Sequence, residues 1–188
     1  MDRLTILLAS ASPRRRDLLR EHGYEVRVMP SHAEEVTPDF LTVGETTLLN
    51  AKIKAREIAR REPDALVLAA DTLVAFEGEI FGKPRDLTEA FAMLKRLSGR
   101  THEVFSGVWI THAAAARQRG FIVASRVRFR KMSAPEITEY IARVNPLDKA
   151  GAYAAQQNEM NLIASIEGSF TNVVGLPMEA LDEELRRF

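Results

Sequence analysis

The sequence contains no cysteine, and it carries no excess charge of either sign. The first absence excludes disulfide bonds, thiolate zinc sites and a cysteine nucleophile. Lys and Arg together number 26, as do Asp and Glu, so the formal net charge is zero. Because general polyanion-binding proteins usually have a basic excess, we expect no nucleic-acid partner. An anionic small ligand would need positive charge gathered at one place.

Long apolar runs are also missing. The first charge-free apolar run covers only residues 4–9, which is too short to span a bilayer and lacks the shape of a signal peptide. We therefore expect a cytoplasmic protein with no membrane partner. Apolar residues still make up 46% of the chain, enough for a sizeable core. No linker-like stretch divides the sequence, so we expect one domain over residues 1–188.

Hydrophobic spacing and turn residues predict strands that alternate with helices, which indicates an α/β or mixed α+β fold. Ser12 followed by Pro13 is typical of a helix start, with serine as the N-cap and proline at the first helical position. The predicted strands cover residues 4–9, 24–29, 65–70, 104–111, 120–129 and 162–166, with a hairpin at 73–81, and the predicted helices cover 13–22, 44–61, 87–97, 135–144 and 177–187.

The first candidate site is the segment from Ser10 to Arg16, where a strand ends and a helix begins. A helix N-terminus exposes backbone N–H groups and the positive end of the helix dipole, which favour an anion. Ser10 and Ser12 add hydroxyls, and Arg14 and Arg15 add planar donors that suit phosphate. The alternative is a solvated basic helix face, and the spacing alone does not separate the two. The glycine and lysine spacing of a Walker loop is missing.

Carboxylates provide two further candidates. Asp71, with Thr72, follows a predicted buried strand, where α/β sheets often place ligand groups. Asp71 could hold a divalent metal or act as a general base on water, and the alternative is a turn or N-cap aspartate. Glu34 and Glu35 lie in the loop after the second strand, where they could supply a metal ligand or form a solvated charge pair.

Lysines and one glutamine complete the candidates. Lys52 and Lys54 lie two residues apart on a predicted helix, so at most one can reach a shared site. Lys83 lies between a glycine and a proline, which suggests a positioned amine. Gln156 could read the edge of a base, although a surface amide is the alternative. The histidines lack metal-ligand spacing and receive no role; they are His22, His32, His102 and His112.

Taken together, these segments resemble the Maf family of nucleotide pyrophosphatases, also called septum-formation inhibitors. The matches occur in order and span nearly the whole chain. The matching segments are Leu8-Ala-Ser-Ala-Ser-Pro-Arg-Arg15, Asn50-Ala-x-x-Lys54-Ala55, Ala70-Asp-Thr72, Gly82-Lys-Pro-Arg-Asp86, Leu97-Ser-Gly-x-Thr-His102, Asp148-Lys-Ala-Gly-Ala-Tyr153, Ile166-Glu-Gly168 and Asn172-Val-Val-Gly-Leu-Pro177.

The resemblance implies an elongated two-lobed mixed α/β fold with a central groove, similar to that of inosine triphosphate pyrophosphatases. It also implies a homodimer, for which residues 104–129 could form the interface, and cleavage between the α and β phosphates with Mg²⁺ or Mn²⁺. Asp71 would be the proton acceptor, and Glu35 would hold metal with it. The residues implied to bind substrate are Ser10, Ser12, Arg14, Arg15, Lys54, Thr72, Lys83 and Gln156; of these, Arg14, Thr72 and Gln156 match positions tied to base selectivity.

Within the family, the segment from Asp148 to Gln156 is similar to that of members acting on dTTP and UTP. The sequence departs from them after Gln156, where those members usually have glycine and this chain has Gln157-Asn158-Glu159. Two alternatives therefore stay open. One is the same reaction on another base, such as 7-methyl-GTP or CTP, and the other is a nucleotide-binding regulator of cell division without catalysis.

Overall fold

The computed structural model describes residues 5–188, apart from the side chains of residues 157–159. Leu4, where the first strand was expected to begin, lies outside the described residues. The strands are β1 Thr5–Leu8, β2 Glu25–Val28, β3 Val67–Phe76, β4 Glu79–Phe81, β5 Thr101–His112, β6 Arg117–Phe129 and β7 Ile163–Glu167. The α-helices are α1 Pro13–Glu21, α2 Val43–Arg61, α3 Leu87–Leu97, α4 Ala134–Arg143, α5 Phe170–Val174 and α6 Met178–Arg187; 3-10 turns lie at Ala150–Ala152 and Ala155–Met160.

The strands form one mixed seven-stranded sheet, with the order β2-β1-β3-β5-β6-β7 and β4 paired to β3. β1 is parallel to both β2 and β3, as expected for strands joined through the helices α1 and α2. β3, β5, β6 and β7 pair antiparallel in turn. The mixed α/β fold predicted from the sequence is confirmed.

The two faces of the sheet bury different helices. Alternate residues of a strand point to opposite faces, so Leu7 packs with Val67 and Ile58 beneath α2, whereas Leu8 and Leu68 join the larger core on the other face. That larger core also contains apolar residues from α1, α3, α4, α5 and α6. β1 and the start of β3 are therefore covered on both faces of the sheet, which explains their near-continuous hydrophobic sequences.

β3 is longer than the sequence predicts. A strand ending before Asp71 and a separate hairpin from Leu73 were expected, but a single strand runs through both segments to Phe76. The cause is β5, which pairs with β3 continuously from Val67 to Ala75. Asp71 and Thr72 therefore lie inside a strand rather than at its end. The short helix α5 was also not predicted, because its five residues are too few for a periodic pattern.

Gly107 allows α2 to lie directly against β5. A Cβ atom on this residue would lie 2.2 Å from the backbone nitrogen of Leu48, so any larger residue would push the helix away. Close packing at this point fixes the height of α2 above the sheet, and with it the position of polar side chains on the helix. Within residues 5–188, no helix is both long enough and apolar enough to cross a membrane.

His102 is buried in the larger core beside two aromatic rings. Its Nε2 lies 2.9 Å from the hydroxyl of Tyr153, and its ring packs edge-on against Phe129 with centroids 4.9 Å apart. Burial disfavours the charged imidazolium and lowers the pKa of His102 to about 4. The histidine is therefore a neutral part of the core, consistent with the absence of metal-ligand spacing around it.

We expect His102 to make the fold sensitive to acid. Between its unfolded pKa and about pH 4, the unfolded chain binds a proton that the folded chain does not, so stability is lost as the pH falls through this range. Over the whole range, this histidine lowers the free energy of unfolding by about 3 kcal/mol. Urea unfolding at about pH 7 and about pH 4.5 should show a smaller pH-dependent loss for His102→Phe than for the wild type. His32→Gln, at an exposed histidine, is the control and should lose as much stability between the two pH values as the wild type does. An equally large loss in His102→Phe would contradict this account.

Candidate active site

A groove opens where the sheet splits along β3. β5 pairs with one edge of β3, and on the other edge β1 pairs only with Val67 and Leu68 while β4 pairs from Val74 onward. Among the described residues, no strand pairs with the intervening part of that edge, which borders a cavity of 530 Å³. The candidate Glu34 does not line this cavity, whereas the ten residues to which the family resemblance assigns a role all do: Ser10, Ser12, Arg14, Arg15, Glu35, Lys54, Asp71, Thr72, Lys83 and Gln156.

The start of α1 forms one wall of the groove. Ser12 is the N-cap, its Oγ accepts a hydrogen bond from the backbone N–H of Arg15, and Pro13 occupies the first turn, as predicted. The Oγ of Ser10 accepts from the backbone N–H of Ser12 at 3.2 Å, which fixes the turn between β1 and the helix. The positive end of a nine-residue helix therefore faces the cavity, where it favours a bound anion.

Arg15 is built into this wall by three hydrogen bonds. Its Nε donates to the carbonyl oxygen of Gly175 at 2.9 Å, and its two Nη groups donate to Ser10 Oγ and Thr72 Oγ1, each at 3.1 Å. Burial lowers the pKa of Arg15, and the nearby charge of Asp71 opposes that shift. Since arginine keeps its proton in proteins, this side chain remains a fixed positive charge that joins three segments of the chain.

The other two arginines of the segment differ from each other. Arg14 crosses the mouth of the groove and donates to the carboxylate of Asp148 at 3.1 Å and to its backbone oxygen at 3.3 Å. Arg16 pairs instead with its neighbour Asp17 at 2.8 Å. The anion-site interpretation therefore fits Arg14 and Arg15, and the solvated-face alternative fits Arg16.

A chain of charges crosses the groove at Asp71. Lys54 Nζ lies 2.8 Å from Asp71 Oδ1 and 2.5 Å from Glu35 Oε1, so one ammonium lies between two carboxylates. Asn50, one helical turn before Lys54, donates to Asp71 Oδ2 at 3.2 Å. Asn50 also bonds both backbone groups of Val36, which ties the loop carrying Glu35 to α2. Both oxygens of Asp71 are thus held in place by side chains from one face of α2.

Lys52 points away from the groove, as the two-residue spacing predicted. Its Nζ lies 4.6 Å from the ring centroid of Trp109, a cation–π contact on β5. Lys83 lies on a loop and Gln156 lies in the 3-10 turn Ala155–Met160, and both line the groove. The backbone oxygen of Gly82 accepts from Gly151 N–H at 3.0 Å, which joins the Lys83 loop to the turn before Gln156.

Several polar residues in or beside the site, among them Asn50, Asp148 and Lys149, were given no role from the sequence. Asn50 was noted only as part of a motif; its spacing of four from Lys54 was the available signal, because it places both on one helix face. Asp148 and Lys149 also line the groove. Although burial opposes the shift, hydrogen bonds from Lys149 and Arg14 keep the pKa of Asp148 below its usual value. The sequence placed this pair in a family motif, but it gave neither residue a role of its own.

The two carboxylates of the groove could hold a divalent cation. In the described part of the chain, no group of three histidine or acidic residues gathers around one point. Asp71 and Glu35 nevertheless both contact the ammonium of Lys54, so their carboxylates lie close together and a metal ion between them would take the place of that ammonium. Mg²⁺ often binds through one or two carboxylates together with substrate phosphates, so this pair fits such an ion.

The fold and the groove define a mixed α/β protein with a cationic cleft for an anionic ligand, and comparison with known proteins identifies its family. Residues 5–188 match the family described as Maf-like protein, and the chain therefore belongs to that family. A relative from Myxococcus xanthus, named dTTP/UTP pyrophosphatase, is 47% identical over 178 residues, which is 94% of this chain and 89% of the relative. Another of the same name, from Pelotomaculum thermopropionicum, is 42% identical over 97% of this chain and 96% of the relative.

A solved structure supports the fold. The Staphylococcus aureus Ham1 protein aligns over 97% of this chain and 98% of its own, with a TM-score of 0.55 and 15% sequence identity. Because the identity is so low, this likeness concerns the fold alone. It agrees with the mixed α/β architecture expected from the family resemblance.

The hydrogen bonds of Arg15 predict a stability effect. Arg15→Lys keeps the charge but lacks the planar fork, so it cannot reach Gly175, Ser10 and Thr72 together. We expect the free energy of unfolding, measured with urea at neutral pH, to fall by about 2 kcal/mol. Arg16→Lys is the matched control on the same helix turn and should leave stability nearly unchanged. Equal losses in both variants would show that the fork of Arg15 is not what matters.

Proposed function

We propose that this protein hydrolyses nucleoside triphosphates to the monophosphate and pyrophosphate, with dTTP and UTP preferred. The observation that carries the proposal is the groove itself, which is lined by a helix N-terminus, five cationic side chains and the firmly held Asp71. The names of the relatives from Myxococcus xanthus and Pelotomaculum thermopropionicum support the choice of substrate.

Electrostatics favour a triphosphate in this groove. A nucleoside triphosphate carries roughly four negative charges at neutral pH, which an electroneutral protein can bind only by clustering its cations. Arg14, Arg15, Lys54 and Lys83 all line the cavity. In this proposal Ser10, Ser12 and the first turn of α1 bind phosphate oxygens, while Lys54 and Lys83 balance the charge that develops on the leaving pyrophosphate.

Asp71 is the proposed general base. Its two oxygens are held by Lys54 and Asn50, and each retains a further lone pair for a water molecule. The oxygen of that water would bond to the α-phosphorus while Asp71 accepts its proton. The bond from the α-phosphorus to the oxygen bridging the β-phosphorus then breaks, and pyrophosphate leaves with that oxygen.

A divalent metal, Mg²⁺ or Mn²⁺, is part of the proposal. Asp71 and Glu35 would hold it, since their carboxylates approach the same point. When bound, the ion would supply a Lewis acid that neutralises phosphate charge. Glu35, which is more exposed than Asp71, would be the more easily displaced of the two ligands.

We further propose that the protein acts in the cytoplasm as a homodimer, without a nucleic-acid or membrane partner. The family resemblance supports the dimer, and residues 104–129 on β5 and β6 are the candidate interface. Ile122 on β6 is 39% exposed, which makes it a suitable contact on that surface.

Replacing Asp71 tests its role in catalysis. Asp71→Asn keeps the shape and a hydrogen-bond acceptor but cannot take a proton, so turnover should fall by about 10²–10⁴-fold. Nucleotide binding, measured by calorimetry with a non-hydrolysable analogue, should be largely retained. The exposed Asp64→Asn is the control and should remain fully active. Near-normal turnover by pure, folded Asp71→Asn would refute the assignment.

Substrate choice is tested by pyrophosphate release from dTTP, UTP, CTP, 7-methyl-GTP and ITP, each with Mg²⁺ or Mn²⁺. We expect dTTP and UTP to be cleaved fastest, and chelation of the metal to stop the reaction. Faster release from 7-methyl-GTP or CTP would mean that the same reaction serves another base. Release from none of the five nucleotides would instead favour the non-catalytic regulator.

A further inference from the structure

Behind the groove, a buried serine contacts a residue that lines it. Ser106 on β5 is the register partner of Thr72 on β3, and their hydroxyl oxygens are 2.9 Å apart. Ser106 is completely buried, and its other contact is the backbone oxygen of Asn172 at 3.4 Å. The side chain therefore has no direct access to a ligand, and any effect that it has on one must pass through Thr72.

Thr72 has only one hydrogen-bonding position left for a ligand. A hydroxyl has one proton to donate and two lone pairs to accept with. Arg15 Nη2 donates to Thr72 Oγ1 at 3.1 Å and so occupies one lone pair. Ser106 takes a second position, as donor or as acceptor. If Thr72 donates to Ser106, the third position is a lone pair, and if Thr72 accepts from Ser106, the third position is the hydroxyl proton. In the second case the proton could also reach the oxygen of Gly175, which lies 3.4 Å from Thr72 Oγ1.

Beyond the guanidinium of Arg15, the surroundings of Thr72 are apolar enough to suit a base. Thr72 and Asp71 are neighbours on a strand, so their side chains lie on opposite faces of the sheet. The Asp71 side carries Lys54 and Glu35. On the Thr72 side, the next residues along the two strands are Val74 and Val104, which are also register partners and line the same cavity. An apolar wall with a few fixed polar groups is typical of a pocket for a planar organic group.

We propose that Ser106 is a positioning residue for base selectivity, and that it acts by fixing the hydrogen-bonding direction of the Thr72 hydroxyl. The inference rests on the proposed nucleotide hydrolysis and names a second determinant of substrate choice. At two adjacent ring positions, uracil and thymine present a carbonyl oxygen and an N–H where cytosine presents an amino group and a bare ring nitrogen. A hydroxyl of fixed direction therefore cannot satisfy both kinds of base at either position. For the Thr72 hydroxyl to exchange its donor and acceptor positions, the buried Ser106 hydroxyl must turn round as well.

Removing the serine hydroxyl should weaken discrimination. In Ser106→Ala, Thr72 keeps its bond from Arg15 and its long contact of 3.4 Å with the oxygen of Gly175. Its hydroxyl can then offer a ligand either its proton or its second lone pair, so it can adapt to either base. The probes are the α,β-methylene analogues of UTP and CTP, and their dissociation constants are measured by calorimetry with Mg²⁺. We expect the wild type to prefer the UTP analogue and Ser106→Ala to reduce that preference by about tenfold.

Ser125→Ala is the matched control. Ser125 is also a buried serine, and it bonds the side chain of Asn172 at 3.0 Å and the backbone of Ser169 at 3.0 Å. It therefore supports the same segment near α5 without bonding Thr72. Loss of general rigidity would affect both variants, whereas loss of the Thr72 contact affects only Ser106→Ala.

A second pair of variants tests whether Ser106 acts through Thr72. Thr72→Val removes the hydroxyl at nearly constant volume and should also reduce the preference. Adding Ser106→Ala to Thr72→Val should then change the ratio of the two dissociation constants no further. The double variant and Thr72→Val are compared at a temperature where both are folded, so the comparison does not require a measurement on Ser106→Ala alone.

The outcomes separate the two proposals. An unchanged ratio in Ser106→Ala, an equal drop in Ser125→Ala, a parallel loss of affinity for both analogues, or no preference in the wild type would each overturn the role of Ser106. Failure of the wild type to release pyrophosphate from any nucleotide would overturn the proposed function instead, while the binding ratio could still be measured.

Discussion

The whole site depends on the unequal pairing of the two edges of β3. One edge is held by β5 along nearly its entire length, which makes the strand rigid. The other edge is shared by β1 and β4, and the stretch between them borders the groove. A rigid strand with an accessible edge presents both of its faces to one cavity. Asp71 and Thr72 can therefore serve the same ligand even though their side chains point in opposite directions.

This division gives the groove two chemically different sides. On the Asp71 side, charges alternate from Glu35 through Lys54 to the aspartate, and α2 supplies most of the contacts. On the Thr72 side, hydroxyls and apolar residues surround the guanidinium of Arg15. A protein with no net charge thus gathers several cations around one groove. The close approach of α2 at Gly107 keeps the charged side at a fixed height above the sheet.

Much of the fold could be predicted because it depends on local patterns. The N-cap at Ser12 and the apolar runs of β1 and the start of β3 were readable, since capping and burial leave direct signatures in the sequence. The continuity of β3 through Asp71 was not readable, because it depends on pairing with β5, about thirty residues further along the chain. The helix α5 was missed for a related reason, since a single short turn has no period.

The sequence by itself determined the family, the alternation of strands and helices, and ten of the residues that line the groove, because short motifs and hydrophobic spacing can be read without knowing the tertiary contacts. Only the tertiary structure decided what each side chain contacts. It separated Arg14 and Arg15 from Arg16, and it brought Asn50 to Asp71. It also placed the buried hydroxyl of Ser106 behind Thr72. Such contacts join residues distant in the chain, and they exist only once packing has fixed the distances between strands and helices.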